Sequence, residues 1–225
     1  MKKEKKVLEK LGGKIMQNLT KEEKFFKYFI GDKSMWIPTQ KIDGTSITYY
    51  MTEDYKFGVC SRNLENTDEN STPWKVAEKL GLKEIMTEWV DLHRHSLILQ
   101  GELFGESIQK NPIGIKGQNW LCFNVSYYDN YTKQTYLVPY LNAISDEILS
   151  KVEFVPNLGL ILPGTIELML NQADSIKNQV NGGNKDAQIE GIVWKHKLLD
   201  KIIIDGKEYK PSFKVISNKY LLKYE

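Results

Sequence analysis

The sequence predicts an α+β fold in which antiparallel sheets enclose a cleft and helices lie on the flanks. Three observations carry this. Apolar residues alternate with period two in short runs joined by polar or Asp-Gly turns, as in hairpins. Helical patterns come in blocks with their own cap residues, so no βαβ rhythm is visible. Neither an internal repeat nor a Pro/Ser-rich linker divides the 225 residues, and their 41% hydrophobic content can fill a core.

The elements follow in order. Val7, Leu8, Leu11 and Ile15 recur at helical spacing. Thr20 and Glu23 form a capping-box pattern ahead of "KFFKYFI", so two helices are expected within about residues 1–34. From Trp36 the rhythm turns to period two, and "SITYYMT" and "KFGVCS" flank a polar turn at Glu53 and Asp54. "STPWKVAEKLG" has a hydroxyl cap, an early Pro and a terminal Gly, which predict a helix. Strands are expected at "LILQGEL", "WLCFNVSYY" and "TYLVPY", the last two joined by a "DNYTK" turn. Helices are expected at about Asn142 to Ser150 and Thr165 to Gln179, then a flexible "NGGNKD" loop. The strand "IEGIVWK", an Asp205-Gly206 turn and the strand "SFKVI" complete the order.

Composition excludes several classes. The longest apolar runs, such as "LGLILPG", are far shorter than the ~20 residues of a spanning helix. Charges punctuate the first apolar positions, so no signal-peptide core follows, and a cytoplasmic protein without a membrane partner is expected. Cys60 and Cys122 sit in strand-like runs without metal-type spacing and read as buried reduced thiols. A net charge of +2 does not prove a nucleic-acid partner, although Lys207, Lys210, Lys214, Lys219 and Lys223 make the last stretch basic. His93 and His95 have no third ligand at a matching spacing and read as a solvated connection. No P-loop pattern occurs.

Four stretches place charges inside or beside apolar strands, where an unpaired charge is expensive to bury: "KIDG" at Lys41 to Gly44, "GELFG" at Gly101 to Gly105, "EGIVWK" at Glu190 to Lys195 and "SFKVIS" at Ser212 to Ser217. Each alone is a weak signal. Their order, K-x-D-G, G-E-L-x-G, E-G-x-V-x-K and a late strand lysine, resembles the covalent nucleotidyltransferase superfamily of polynucleotide ligases and messenger-RNA capping enzymes, whose fold is ATP-grasp-like. "GELFGESIQKNP" and "FKVISNKYLLK" look most like ATP-dependent RNA ligases of the RNA ligase 2 type. The resemblance runs from about Trp36 to Lys223.

That resemblance implies a lysine, Lys41, that takes AMP from ATP and passes it to an RNA 5′-phosphate, after which a 3′-hydroxyl displaces AMP. A lysine amine attacks phosphorus only when unprotonated, so neighbouring cations or desolvation must lower its pKa from about 10.4. Gly44 would let the backbone turn close to the nucleotide. The resemblance makes Glu190 the metal-side carboxylate and Glu102 the partner of the ribose hydroxyls or of a metal-bound water, with Mg2+ or Mn2+ as the ion. It places Gln40 and Ile42 at the nucleotide, Arg62 near the ribose or the RNA end, and Phe123 stacked on adenine, although a surface arginine and a core phenylalanine are the plainer readings. Gln40 stands where the family often has Glu; its carbonyl could accept from the adenine amino group.

Alternation puts Ser212, Lys214 and Ile216 on one strand face, so Lys214 could reach the phosphates. The family commonly has a lysine where Ser212 stands, which leaves phosphate contacts to Lys214 and to Lys195 or Lys210. Strict pleating would point Lys195 away from the face of Glu190 unless a bulge intervenes. The expected organisation is one monomeric adenylyltransferase domain over 1–225 without an appended barrel. The alternatives are a DNA ligase or capping-type domain, or a nucleic-acid-binding module that keeps the fold without ligating.

Overall fold

A computed structural model describes residues 20–199 and 201–224. The helical pattern through Val7 and Ile15 lies outside them. The first described helix, α1 (Lys21–Lys24), starts with the expected capping box: Thr20 Oγ1 accepts from Glu23 N at 3.1 Å and Glu23 Oε2 from Thr20 N at 2.7 Å. It widens into π-type turns over Phe25–Ile30. There Phe25 and Phe29 stack on each other and meet Phe213 edge-on.

Among the described residues ten strands form three sheets. In the five-stranded sheet, β2 (Thr45–Met51) lies between β3 (Phe57–Cys60) and β4 (Ser96–Gly105), followed by β5 (Gln118–Asp129) and β6 (Gln134–Val138). The three-stranded sheet places β7 (Gly191–His196) between β1 (Trp36–Lys41) and β10 (Ser212–Ile216). A hairpin of β8 (Ile202–Ile204) and β9 (Lys207–Tyr209) stands apart. Every neighbouring pair is antiparallel, as the alternating runs and short turns required. Asp205 and Gly206 both take positive φ, 54° and 73°, the backbone a tight two-residue hairpin turn needs.

The large sheet packs its inner face on α2 (Thr72–Lys79) and α3 (Leu82–His93), with Leu99, Trp120, Met86 and Val90 at the centre of that core. The small sheet packs Ile192 and Trp194 on α5 (Ile166–Ser175) and on the aromatic turns after α1. Between the sheets runs the segment 153–158. Leu158 N donates to Pro38 O, Gln40 N to Pro156 O, and Val155 N to Cys122 O, so it binds both β1 and β5 and closes the base of the cleft.

Several expectations need correction. Helix α3 has no counterpart among the expected elements, and it ends at His93; the connection after it is solvated at Arg94, but His93 stacks on Trp89 at 4.1 Å and His95 on Tyr127 at 5.2 Å, so both rings are half-buried. The helix expected at Asn142 to Ser150 is α4 (Tyr140–Ser145) and a separate 3-10 turn, because Asp146 takes an extended backbone and its carboxylate caps Ile148 and Leu149. The helix from Thr165 ends at Ser175 instead of Gln179, since Ile176 is extended and Lys177 bridges to Gln188. A last helix, α6 (Asn218–Tyr224), follows β10. Both cysteines are free, but only Cys122 is buried; Cys60 is half-buried at the sheet edge.

Candidate active site

A cleft of about 610 Å³ opens between the two sheets, lined by Thr39, Lys41, Ile42, Glu102, Phe123 and Lys195 among others. Strand β1 delivers Lys41 at its end, in register with Gly191 of β7. There Lys41 Nζ lies 2.5 Å from Glu190 Oε2, with the two side chains only 22% and 14% exposed. Beyond Lys41 the chain turns through Asp43 and Gly44 into β2. A Cβ on Gly44 would sit 2.3 Å from Leu103 O and 3.0 Å from Glu102 Cγ. The glycine is therefore required by its contact with β4, the strand that carries Glu102, and not by a left-handed turn toward a ligand.

Glu102 faces the cleft from β4. Burial pushes its carboxyl up to about 7, the charges of Glu190 and Asp43 push the same way, and Lys41 and Arg62 oppose them. Glu190 is likewise held above the ordinary carboxylate range by burial, against the hydrogen bond and charge of Lys41; Asp43 adds to the rise and Lys214 subtracts from it. Asp43, Glu102 and Glu190 therefore feel one another's charge around Lys41. Among the described residues no three His, Cys, Asp or Glu side chains converge as a closed ligand set. Magnesium keeps most of its waters and needs only one or two carboxylates, so the partly desolvated Glu102 and Glu190 fit such an ion.

The pleating expectation for Lys195 fails. Glu190 sits on a bend before β7 begins, so the alternation counts from Gly191: Ile192 and Trp194 enter the core, while Val193 and Lys195 line the cleft. The bulge lies elsewhere. Opposite Gln100 and Gly101 the register jumps from Asn124 to Cys122, leaving Phe123 as the extra, unpaired residue. A bulge re-aims a side chain, and here it puts both Phe123 and Asn124 at the cleft. Lys195 Nζ donates to Asn124 Oδ1 at 2.8 Å and to Phe123 O, and lies 5.2 Å from the centre of the Phe123 ring. Burial lowers the Lys195 ammonium to about 8.

Gln40 is also corrected. Its side-chain carbonyl accepts from Gln179 N at 2.8 Å and its amide donates to Asn178 Oδ1 at 2.9 Å, at 2% exposure. The backbone donor fixes which end is oxygen, so this group borders the cleft but already spends its carbonyl and one amide N–H on clamping the 178–179 segment. Ile42 is buried beside Phe104, Leu121 and Val155, beneath Phe123. Lys214 is exposed on the face opposite Phe213 and Val215, with its charge acting on Glu190. Ser212 and Lys210 line the cleft mouth. Arg62 is exposed on the bend after β3; it acts on Glu102 through its charge and lies outside the cleft wall. Sequence reasoning left Asp43 and Asn124 out of the candidate set, although Asp43 stands inside the K-x-D-G pattern itself.

Two facing antiparallel sheets with a lysine paired to a carboxylate in the cleft between them define a nucleotidyltransferase-type protein. A family model described as RNA ligase matches residues 34–216, and the chain belongs to that family. It is similar to solved structures of an RNA ligase from Naegleria gruberi. A lysine-to-alanine variant with ATP and Mn is 31% identical, with a TM-score of 0.66 over 90% of this chain and 55% of that one. A variant in the apo state is 30% identical, with a TM-score of 0.68 over 94% and 59%. A lysine-to-methionine variant with AMP and Mn is 30% identical, with a TM-score of 0.66 over 94% and 59%. The chain thus spans less than two thirds of the length of these relatives. No curated protein matches it in sequence.

Proposed function

We propose that this chain is the adenylyltransferase part of an ATP-dependent RNA ligase. The observation that carries the reading is the Lys41–Glu190 pair at 2.5 Å, set in a cleft that also presents Glu102, Phe123 and Lys195. In this reading Lys41 Nζ attacks the α-phosphorus of ATP. The N–P bond forms as the bond to pyrophosphate breaks, and the amine proton leaves. Glu190 orients the amine, because the pair holds Nζ at one point of the cleft floor. Lys195 and Lys214 neutralise the phosphates, with Lys210 beside them at the mouth, and Phe123 offers the base a ring. Glu102 addresses the ribose or a metal-bound water, and Arg62 meets the nucleic acid outside the cleft wall.

A divalent ion at Glu190 and Glu102, Mg2+ or Mn2+, would offset the clustered carboxylates and the charge of the leaving group. The relatives with ATP or AMP and Mn support both nucleotide and ion. The acceptor is an RNA 5′-phosphate: AMP moves from Lys41 to it, and an RNA 3′-hydroxyl then displaces AMP to form the phosphodiester. The test is to mix the protein with ATP and magnesium and to follow the AMP adduct by intact mass, then to offer nicked duplexes with RNA or DNA 3′-ends. Absence of an adduct overturns the enzymatic reading; sealing of DNA ends only overturns the RNA assignment.

A further inference from the structure

The turn that carries Lys41 is held from an unexpected direction. Tyr220, in helix α6, is 3% exposed, and its hydroxyl donates to Asp43 Oδ2 at 2.7 Å across 177 residues of sequence. The residue before the helix, Ser217, is fully buried and forms a polar hub. Its Oγ donates to Asp174 Oδ1 at 2.7 Å and accepts from Gln188 Nε2 and from Tyr220 N, both at 3.1 Å. Its backbone N–H donates to Glu190 O at 2.9 Å. The start of α6 therefore grips both halves of the central pair: Ser217 holds the bend that carries Glu190, and Tyr220 holds the turn that carries Asp43, two residues from Lys41.

We propose that Ser217 and Tyr220 form a clasp, with Tyr220 as a positioning residue for Lys41 acting through Asp43. The physical reason lies in the charges. Asp43, Glu102 and Glu190 repel one another across the cleft, and a carboxylate on a short turn swings away from such repulsion unless something fixes it. A buried phenol donating to one oxygen fixes it, and β1 then ends with Lys41 in register with Gly191. Residues that orient groups of a site from behind cost roughly 10- to 100-fold in affinity or activity when lost. The loss here falls on the rate step and spares nucleotide affinity, because Tyr220 does not line the cleft.

The inference rests on the proposed lysine adenylylation for one of its two readouts. Tyr220→Phe keeps the ring, which packs on Tyr224 at 4.9 Å, and removes only the hydroxyl. Its self-adenylylation rate at saturating ATP should fall on the order of tenfold with half-saturating ATP unchanged. In an Asp43→Ala background the same change should have no further effect, since coupling through a shared partner is non-additive. The second readout needs no activity: amide hydrogen exchange of ligand-free protein should rise roughly threefold to tenfold in the Lys41–Ser46 segment and stay unchanged in the five-stranded sheet. Wild-type exchange in Tyr220→Phe, or a rate loss that simply adds to that of Asp43→Ala, overturns the clasp. Failure of the wild-type protein to form an adduct overturns the proposed function instead, and the exchange measurement still decides whether α6 holds the turn.

Discussion

Lys41 Nζ and Glu190 Oε2 are 2.5 Å apart although 149 residues separate them in the chain. Strand pairing between β1 and β7 brings them together, with Lys41 at the end of β1 and Glu190 on the bend just before β7. If Lys41 is the nucleophile, ATP and a divalent metal should add one AMP mass to the protein, and Lys41→Ala should show none. An adduct that persists in the variant moves the nucleophile to another lysine.

Glu190→Ala should slow adenylylation by about 10² or more, the usual size of a lost metal-assisted electrostatic contribution. The measurement is single-turnover adduct formation across a magnesium titration. A rate that is unchanged at low magnesium rules out a metal-side role.

Glu102 makes a prediction about stability. Its carboxyl is raised to about 7 in the folded protein. Between the ordinary unfolded value near 4.3 and about 7, the native state holds a proton that the unfolded state has released. Stability from this group is therefore fully present below about pH 4 and is lost as pH rises through 7. In metal-free buffer, Glu102→Gln should raise stability by roughly 1–3 kcal/mol at pH 8 and change it little at pH 4.5. Urea unfolding at both pH values checks this, and equal effects at the two would remove the desolvation argument.

Gly44→Ala should destabilise the protein by about 1–3 kcal/mol, because the new methyl group meets the Leu103 carbonyl, which belongs to a paired strand and cannot yield. For a chain of this length that is a drop in Tm of roughly 3–10 °C. A neutral result would mean that β2 and β4 separate more easily than the register suggests.

Lys214→Ala and Lys195→Ala separate the two phosphate candidates. Lys195 is tied to Asn124 and to the Phe123 carbonyl, whereas Lys214 is exposed and free to swing. Lys214→Ala should slow adenylylation without changing Tm. Lys195→Ala should also lower Tm, since it leaves the Asn124 and Phe123 oxygens without their donor at a bulge. Equal thermal behaviour of the two variants would contradict that division.

Local chemistry made much of the fold legible. Thr20 with Glu23, and Asp205 with Gly206, announce a cap and a hairpin because the interactions span a few residues. Helix α3 was also written in the chain, in the spacing of Leu82, Met86, Trp89 and Val90, but that face runs through a charged stretch and goes unread when Gly81 is taken as the end of the helical block and the strand after it is followed. The pairing partners of Gln40 were not legible. Nothing near it in sequence indicates Asn178 or the Gln179 amide, 138 and 139 residues away, so its carboxamide reads as available to a ligand. The bulge at Phe123 was missed for a related reason: an extra residue shows only against the partner strand's register.

The strand order of the small sheet has a kinetic consequence. Its central strand, β7, comes from the last fifth of the chain, while its edge strand β1 comes from the first. Such long-range pairing raises contact order and delays completion of the sheet. During synthesis the large sheet, whose strands all lie within residues 45–138, can form before β7 exists. A nascent chain would then present Lys41 without Glu190 opposite it and without the cleft wall that carries Lys195. The ability to capture a nucleotide on Lys41 would thus arise in one late event, and the appearance of that ability during refolding would time the docking of β7.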